Sequence, residues 1–202
     1  MFHRRFLKTY PILIFLCLLL FSHPSTAAES NQAGAKPAEK RLIDESSVIT
    51  GFGTSSIAEG HYTPILFIWH VGMDAEKLFP KLKCRGRLSL FLEPQFNLVT
   101  NPDTDFEAGM AIGVQYLYPL SKGFSAYALL NGGVQYISVV TEDQANRLNF
   151  AESVGGGLCY FFSPHSAVNI GYRFRHISNA SLEKPNNGIN THFVTVGYSL
   201  FF

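Results

Sequence analysis

Beyond residue 45 the apolar side chains recur at every second position rather than at helical spacing, so the pattern predicts strand after strand. Residues 87–99 place Leu88, Leu90, Leu92, Pro94, Phe96 and Leu98 on one face against Arg87, Ser89, Glu93, Gln95 and Asn97 on the other. Residues 106–118 oppose Phe106, Met110, Ile112, Val114, Tyr116 and Tyr118 to Glu107, Gly109, Gly113 and Gln115. The even-numbered apolar face continues through Phe124, Leu130, Val134 and Tyr136, then Leu148, Phe150, Val154, Leu158, Tyr160 and Phe162, then Val168, Ile170, Tyr172 and Phe174. It closes with Val194, Val196, Tyr198, Leu200 and Phe202. Two earlier segments, about 46–57 and 61–73, alternate less cleanly, and with them the pattern predicts eight strands.

A soluble sandwich would also alternate, but its connections would not sort by length. Here "PLSKG" (119–123) and "SPH" (163–165) are short, whereas "VVTEDQANR" (139–147) and "NASLEKPNNGIN" (179–190) are long and polar. Short turns on one side, long loops on the other, aromatic girdles and an even strand count point to an all-β, eight-stranded antiparallel transmembrane β-barrel. Closure leaves no unpaired edge in lipid. Arg87, Glu93, Glu107, Arg173 and Arg175 then face a small lumen filled by side chains, where internal salt bridges are expected of them rather than catalysis.

The N-terminus sets the compartment. "MFHRRFLK" is basic, "YPILIFLCLLLF" apolar and "STAA" small, the order of a secretory signal peptide over residues 1–28 with cleavage after Ala27 or Ala28. The apolar run is shorter than the roughly 20 residues of a spanning helix. Residues 29–45 are polar, carry Pro and Gly and show no periodicity, so they read as a flexible periplasmic leader, leaving 46–202 for the barrel. The formal charge of +1 shows no bias towards nucleic acid. Cys84 and Cys159, the cysteines outside the signal, have no repeated spacing; they read as free thiols and are too sparse for a metal site.

Candidate chemistry lies in "GYRFRHISNASLEKPNNGIN" (171–190). His176 and Ser178 continue the lipid-facing side of Ile170, Tyr172 and Phe174, at about the 9 to 11 residues from the turn at 163–165 that a spanning strand needs. They therefore fall at the outer rim, facing the outer leaflet. Side chains at i and i+2 lie on one side of a strand roughly 7 Å apart, a spacing that suits a base and its nucleophile. His-x-Ser alone is a weak signal, since polar residues are common at a membrane interface.

The wider stretch "RFRHISNASLEKPNNGIN" resembles the C-terminal signature of the lipid A 3-O-deacylase (PagL-type) family, with its His-x-Ser-Asn-Ala followed by Lys-Pro-Asn-x-Gly-Ile. The terminal "VGYSLFF" is similar to the aromatic end that outer-membrane barrels present to their assembly machinery. The resemblance implies an outer-membrane hydrolase that removes the ester-linked 3-hydroxyacyl chain at position 3 of lipid A, part of lipopolysaccharide. It also implies His176 as general base, Ser178 as nucleophile, and no metal or organic cofactor. Backbone N–H groups near Asn179 and Ala180, with the Asn179 side chain as a second candidate, are the natural oxyanion donors. The sequence is equally open to a monomer or a homodimer.

Family members carry a glutamate twelve residues after the serine, where this chain has Asn190. A carboxylate stabilises the imidazolium formed in the transition state, whereas an amide holds only the ring's tautomer. Counted back from Phe202, Asn190 comes to about the height of Ser178 with the same outward parity. If Phe162 faces Ser166 across the short turn, Glu152 lies directly opposite His176. Asn190 leads on motif position, Glu152 on chemistry, and Glu183 in the loop is a third choice for the orienting group. His192 reads as an interfacial residue, Arg147 and Lys184 as loop cations that could meet lipopolysaccharide phosphates, and Gly155 to Gly157 as a bend or a place where a bulky lipid packs closely. Two other readings compete: a non-enzymatic small barrel of adhesin or structural type, and a relative that kept the barrel and lost its orienting acid.

Overall fold

A computed structural model describes residues 42–145 and 147–202. The expected signal peptide and most of the expected leader lie outside the described residues.

Eight long antiparallel strands form a closed barrel. β1 is Glu45–Ile57. β2 comprises Gly60–Tyr62 and Pro64–Asp74, two pieces that meet β1 in one continuous register and are interrupted only at Thr63. β3 is Arg87–Val99, β4 Asp105–Ser121, β5 Phe124–Ile137, β6 Arg147–Ser163, β7 Ser166–Ser178 and β8 Ile189–Phe201. Each pairs with its neighbour in sequence, and β8 returns to β1 from Phe201 opposite Glu45 up to His192 opposite Thr54. The ladder starts slightly earlier than expected, because Asp44 N–H already donates to Gly72 O and Phe202 N–H to Asp44 O.

The predicted parity holds in β1 and in β3 to β8, where even-numbered residues face outward and odd-numbered ones line the lumen. In β2 it reverses: Phe67 and Trp69 are exposed while Leu66, Ile68 and His70 are buried. The cause is register, since Glu45 opposite Gly72 and Ile65 opposite Leu98 join an odd to an even position on both sides of this strand. The outer wall is a belt of exposed Val48, Phe52, Trp69, Phe96, Ile112, Leu130, Ile170, Val194 and their neighbours, the surface a bilayer requires.

The lumen is solid. Arg173 reaches Glu93 with two nitrogens, at 2.7 and 3.0 Å, and Arg175 reaches Glu107 in the same way, at 2.7 and 2.8 Å. Glu93 also accepts from Asn131 Nδ2 at 2.8 Å and lies 3.0 Å from His70 Nδ1, while Glu107 accepts from Asn97 Nδ2 at 2.7 Å and from the Tyr62 hydroxyl. Such bidentate pairs, with further hydrogen bonds to each carboxylate, are what allow buried charges to persist. Arg87, the fifth expected partner, is at the end of the barrel near Asp74, 4.0 Å away, with its guanidinium over the Phe201 ring. A buried apolar cluster lies towards each end: Ile57, Tyr62, Val99, Ile137, Ile177 and Ile189 at one, Cys159, Ala167 and Phe201 at the other.

The sorting of connections by length is broken twice: residues 58–59, between β1 and β2, make a tight turn on the side of the long loops, beside Glu142 and Asp143. Residues 75–86, between β2 and β3, are long yet emerge on the side of the tight turns at 122–123 and 164–165. Cys84 in this connection and Cys159 in the lumen are both free. Among the glycines at 155–157, a side chain at Gly157 would strike the backbone of β7 and the Tyr127 ring, and one at Gly171 the Tyr127 hydroxyl. A tyrosine packs closely against these two positions inside the barrel.

Candidate active site

His176 and Ser178 occupy the last outward positions of β7, with Ile177 between them turned inward and fully buried. The strand places both side chains on the apolar outer wall, and the Ile177 anchor holds the backbone that carries them. Both are half-buried, and Phe150 is the register partner of Ser178.

His176 is flanked by two polar partners in the ladder. Glu152 stands opposite it on β6, as the hairpin reasoning predicts, although the turn itself closes through Ser163 opposite Ser166 with an irregularity after Phe161. Asn190 stands opposite it on β8, a step of two residues from the level of Ser178. The imidazole makes its hydrogen bond to Asn190, with Nδ1 2.7 Å from Oδ1. With that oxygen accepting, the ring carries its proton on Nδ1 and keeps Nε2 free as a base. Among the described residues no hydrogen bond or ion pair joins Glu152 to His176. Glu152 is exposed, one cross-strand step from Gly132. Glu183 enters the network only through its backbone carbonyl.

The loop after Ser178 is tightly structured. Ala180 and Ser181 adopt left-handed conformations, with φ of 53° and 64°, so the chain reverses immediately beyond the serine. Asn179 is buried; its N–H donates to Asn186 Oδ1 at 2.8 Å, and one of the two donors on Nδ2 goes to Glu183 O at 3.0 Å. Both bonds support the loop. Ala180 is exposed beside the serine.

Two residues that the sequence did not single out shape the site. Gly188, with φ 81°, lies against the imidazole, and a Cβ built on it would be 2.6 Å from His176 Cε1 and 3.3 Å from Nε2. Gln144, fully buried in the loop between β5 and β6, accepts from Gly188 N–H at 3.2 Å. Below the site, the Tyr172 hydroxyl lies 2.6 Å from His192 Nδ1 on the same outer face, so His192 has a partner on the wall itself. Arg147 and Lys184 are exposed at the loop side of the barrel. No cluster of His, Cys, Asp or Glu suited to a metal ion occurs among the described residues.

A family model for lipid A 3-O-deacylase (PagL) matches residues 81–199, which include every strand carrying the site. Among solved structures, the outer membrane enzyme PagL superposes with a TM-score of 0.53 at 19% identity, covering 76% of this chain and 97% of that one. Neisserial surface protein A (NspA) superposes with a TM-score of 0.55 at 12% identity, covering 78% of this chain and 96% of that one. At these identities both likenesses bear on the fold alone. Among curated proteins none matches the chain by sequence.

Proposed function

The chain belongs to the lipid A 3-O-deacylase (PagL) family, and from that premise we propose that it is a serine esterase that hydrolyses the ester-linked 3-hydroxyacyl chain at position 3 of lipid A. The observation that carries this reading is the hydrogen bond from His176 Nδ1 to Asn190 Oδ1, because it orients the histidine on the same membrane-facing wall as Ser178.

In this mechanism Nε2 of His176 takes the Ser178 proton as Oγ attacks the acyl carbonyl. The tetrahedral intermediate expels the sugar hydroxyl, which receives the proton from the imidazolium, and the acyl group stays on Ser178. Water, deprotonated by the same nitrogen, then releases the hydroxyacid. The backbone N–H of Ala180, in the reversed turn, and the remaining side-chain donor of Asn179 serve the oxyanion, since the Asn179 backbone N–H is held by Asn186. The site lies at the loop end of the barrel, and the polar loops at 138–146 and 179–188 support placing that end at the outer leaflet, where lipopolysaccharide resides. Arg147 and Lys184 at that end suit its phosphates. Residues 1–28 would direct export and be removed.

One observation favours a second reading. Asn190 is an amide where the family carries a carboxylate, so the chain could be a weakened or inactive relative. The test is to express the protein in a host with intact lipid A and record the lipid's mass, with Ser178→Ala as control. Loss of one hydroxyacyl mass that the substitution abolishes supports the esterase. An unchanged mass in both selects the inactive relative, and loss that persists in Ser178→Ala removes the serine from the mechanism.

A further inference from the structure

The loop that follows Ser178 does not stand alone. Residues 141–145, from the neighbouring connection between β5 and β6, are laced to residues 185–188 by a bridge of Gln144 with Asn186, by Ala145 N–H to Pro185 O at 2.8 Å, and by Asn187 N–H to Asp143 O at 2.7 Å. The Asn187 side chain adds a bond to Asp143 Oδ1 at 3.1 Å. At the centre of this seam is Gln144. Its Oε1 accepts from Gly188 N–H at 3.2 Å, its Nε2 donates to Asn149 Oδ1 at 2.7 Å, and its own N–H is held by Thr141 Oγ1 at 2.9 Å. Asn149 lies inside β6, so the amide ties the loop to the barrel wall.

The consequence reaches the imidazole through Gly188. Asn190 holds the ring by a hydrogen bond at Nδ1, and Gly188 lies beside Cε1 and Nε2, the next two atoms round the ring. A ring held at Nδ1 alone can swing about χ1 and χ2, because rotamer wells are separated by modest barriers. With the glycine as a stop beside Cε1 and Nε2 it cannot swing towards that loop. We propose that Gln144 is a positioning residue for the deacylation: by fixing the Gly188 amide it seats the glycine against His176 and keeps Nε2 aimed at Ser178. This rests on His176 being the general base. It makes the connection between β5 and β6, which touches neither reacting side chain, part of the machinery.

The test compares Gln144→Met, which keeps the volume and removes both amide hydrogen bonds, with Gln144→Glu, which keeps an oxygen to accept from Gly188 N–H. For refolded barrel with purified lipid A in detergent, Gln144→Met should lower kcat about tenfold with KM little changed, as expected of a small misplacement of a reacting group. Gln144→Glu should recover most of that loss. A second readout needs no turnover: the 13Cε1 resonance of His176, assigned by its disappearance in His176→Gln, should shift or broaden in Gln144→Met and return towards its original position in Gln144→Glu. Wild-type kcat and an unmoved resonance in folded Gln144→Met would overturn the proposal. Should the wild-type protein prove inactive, the esterase reading fails and the resonance alone decides the role of Gln144. Should Gln144→Met not fold, Asn149→Leu, which frees the far end of the same amide, is read by the same resonance, and no change there rejects the proposal.

Discussion

His176 has Glu152 directly across the ladder on one side, yet its ring is bonded to Asn190 on the other. The neutral partner thus fixes the tautomer while the carboxylate stays apart.

Replacing the amide by a carboxylate of the same shape should therefore help. Asn190→Asp keeps the bond to Nδ1 and makes it charge-assisted in the imidazolium, and hydrolysis should rise by about tenfold. Asn190→Leu, which removes the acceptor, should lower it by about a hundredfold or more. Rates of hydroxyacid release from purified lipid A check both, and a slower Asn190→Asp would contradict the role given to this residue.

Glu152→Gln is expected to leave kcat within about threefold, because no bond to the histidine is lost, and the conservative change keeps shape. A drop of two orders of magnitude would show that the carboxylate reaches the imidazole during turnover.

Gly188→Ala introduces two faults at once. The left-handed backbone at φ 81° penalises a side chain by about 1–2 kcal/mol, and the new methyl meets the imidazole at Cε1. Loss of kcat should far exceed what the fall in stability explains, with chemical unfolding and kinetics measured on the same sample.

Arg175→Met should destabilise the barrel by about 3–5 kcal/mol, since Glu107 is then left as a buried charge without its cation. Arg175→Met combined with Glu107→Gln should recover a substantial part. Denaturant titration in detergent checks the pair; a single variant as stable as the parent would mean the lumen rehydrates.

Cys84 offers a test of orientation. It lies in residues 75–86, at the end of the barrel opposite Ser178, and burial together with nearby Glu76 pushes its thiol up from its ordinary range. In intact cells a membrane-impermeant maleimide at mildly alkaline pH should leave Cys84 unlabelled, while a cysteine introduced at Lys184 should react. Labelling at Cys84 alone would invert the assignment of the two faces.

Most of the fold was legible because one face of each strand had to satisfy hydrocarbon. β2 was the exception for a physical reason: "PILFIWHV" is apolar on both faces, with Leu66 and Ile68 filling the lumen end while Phe67 and Trp69 meet the bilayer, so alternation carried no phase. The placement of His176 opposite Glu152 followed from one tight hairpin, because register propagates from a short turn. Gln144 and Gly188 could not be found that way. Their contact joins two loops 44 positions apart through a side-chain amide, and no periodicity encodes it. The same holds for the engagement of Asn179, which depends on how residues 183 and 186 fold back.

Two arginine–glutamate pairs cross the middle of the lumen, with a buried apolar cluster towards each end. His176 and Ser178 stand on the outer wall, so chemistry proposed there and the packing that holds the barrel together occupy opposite faces of the same strand.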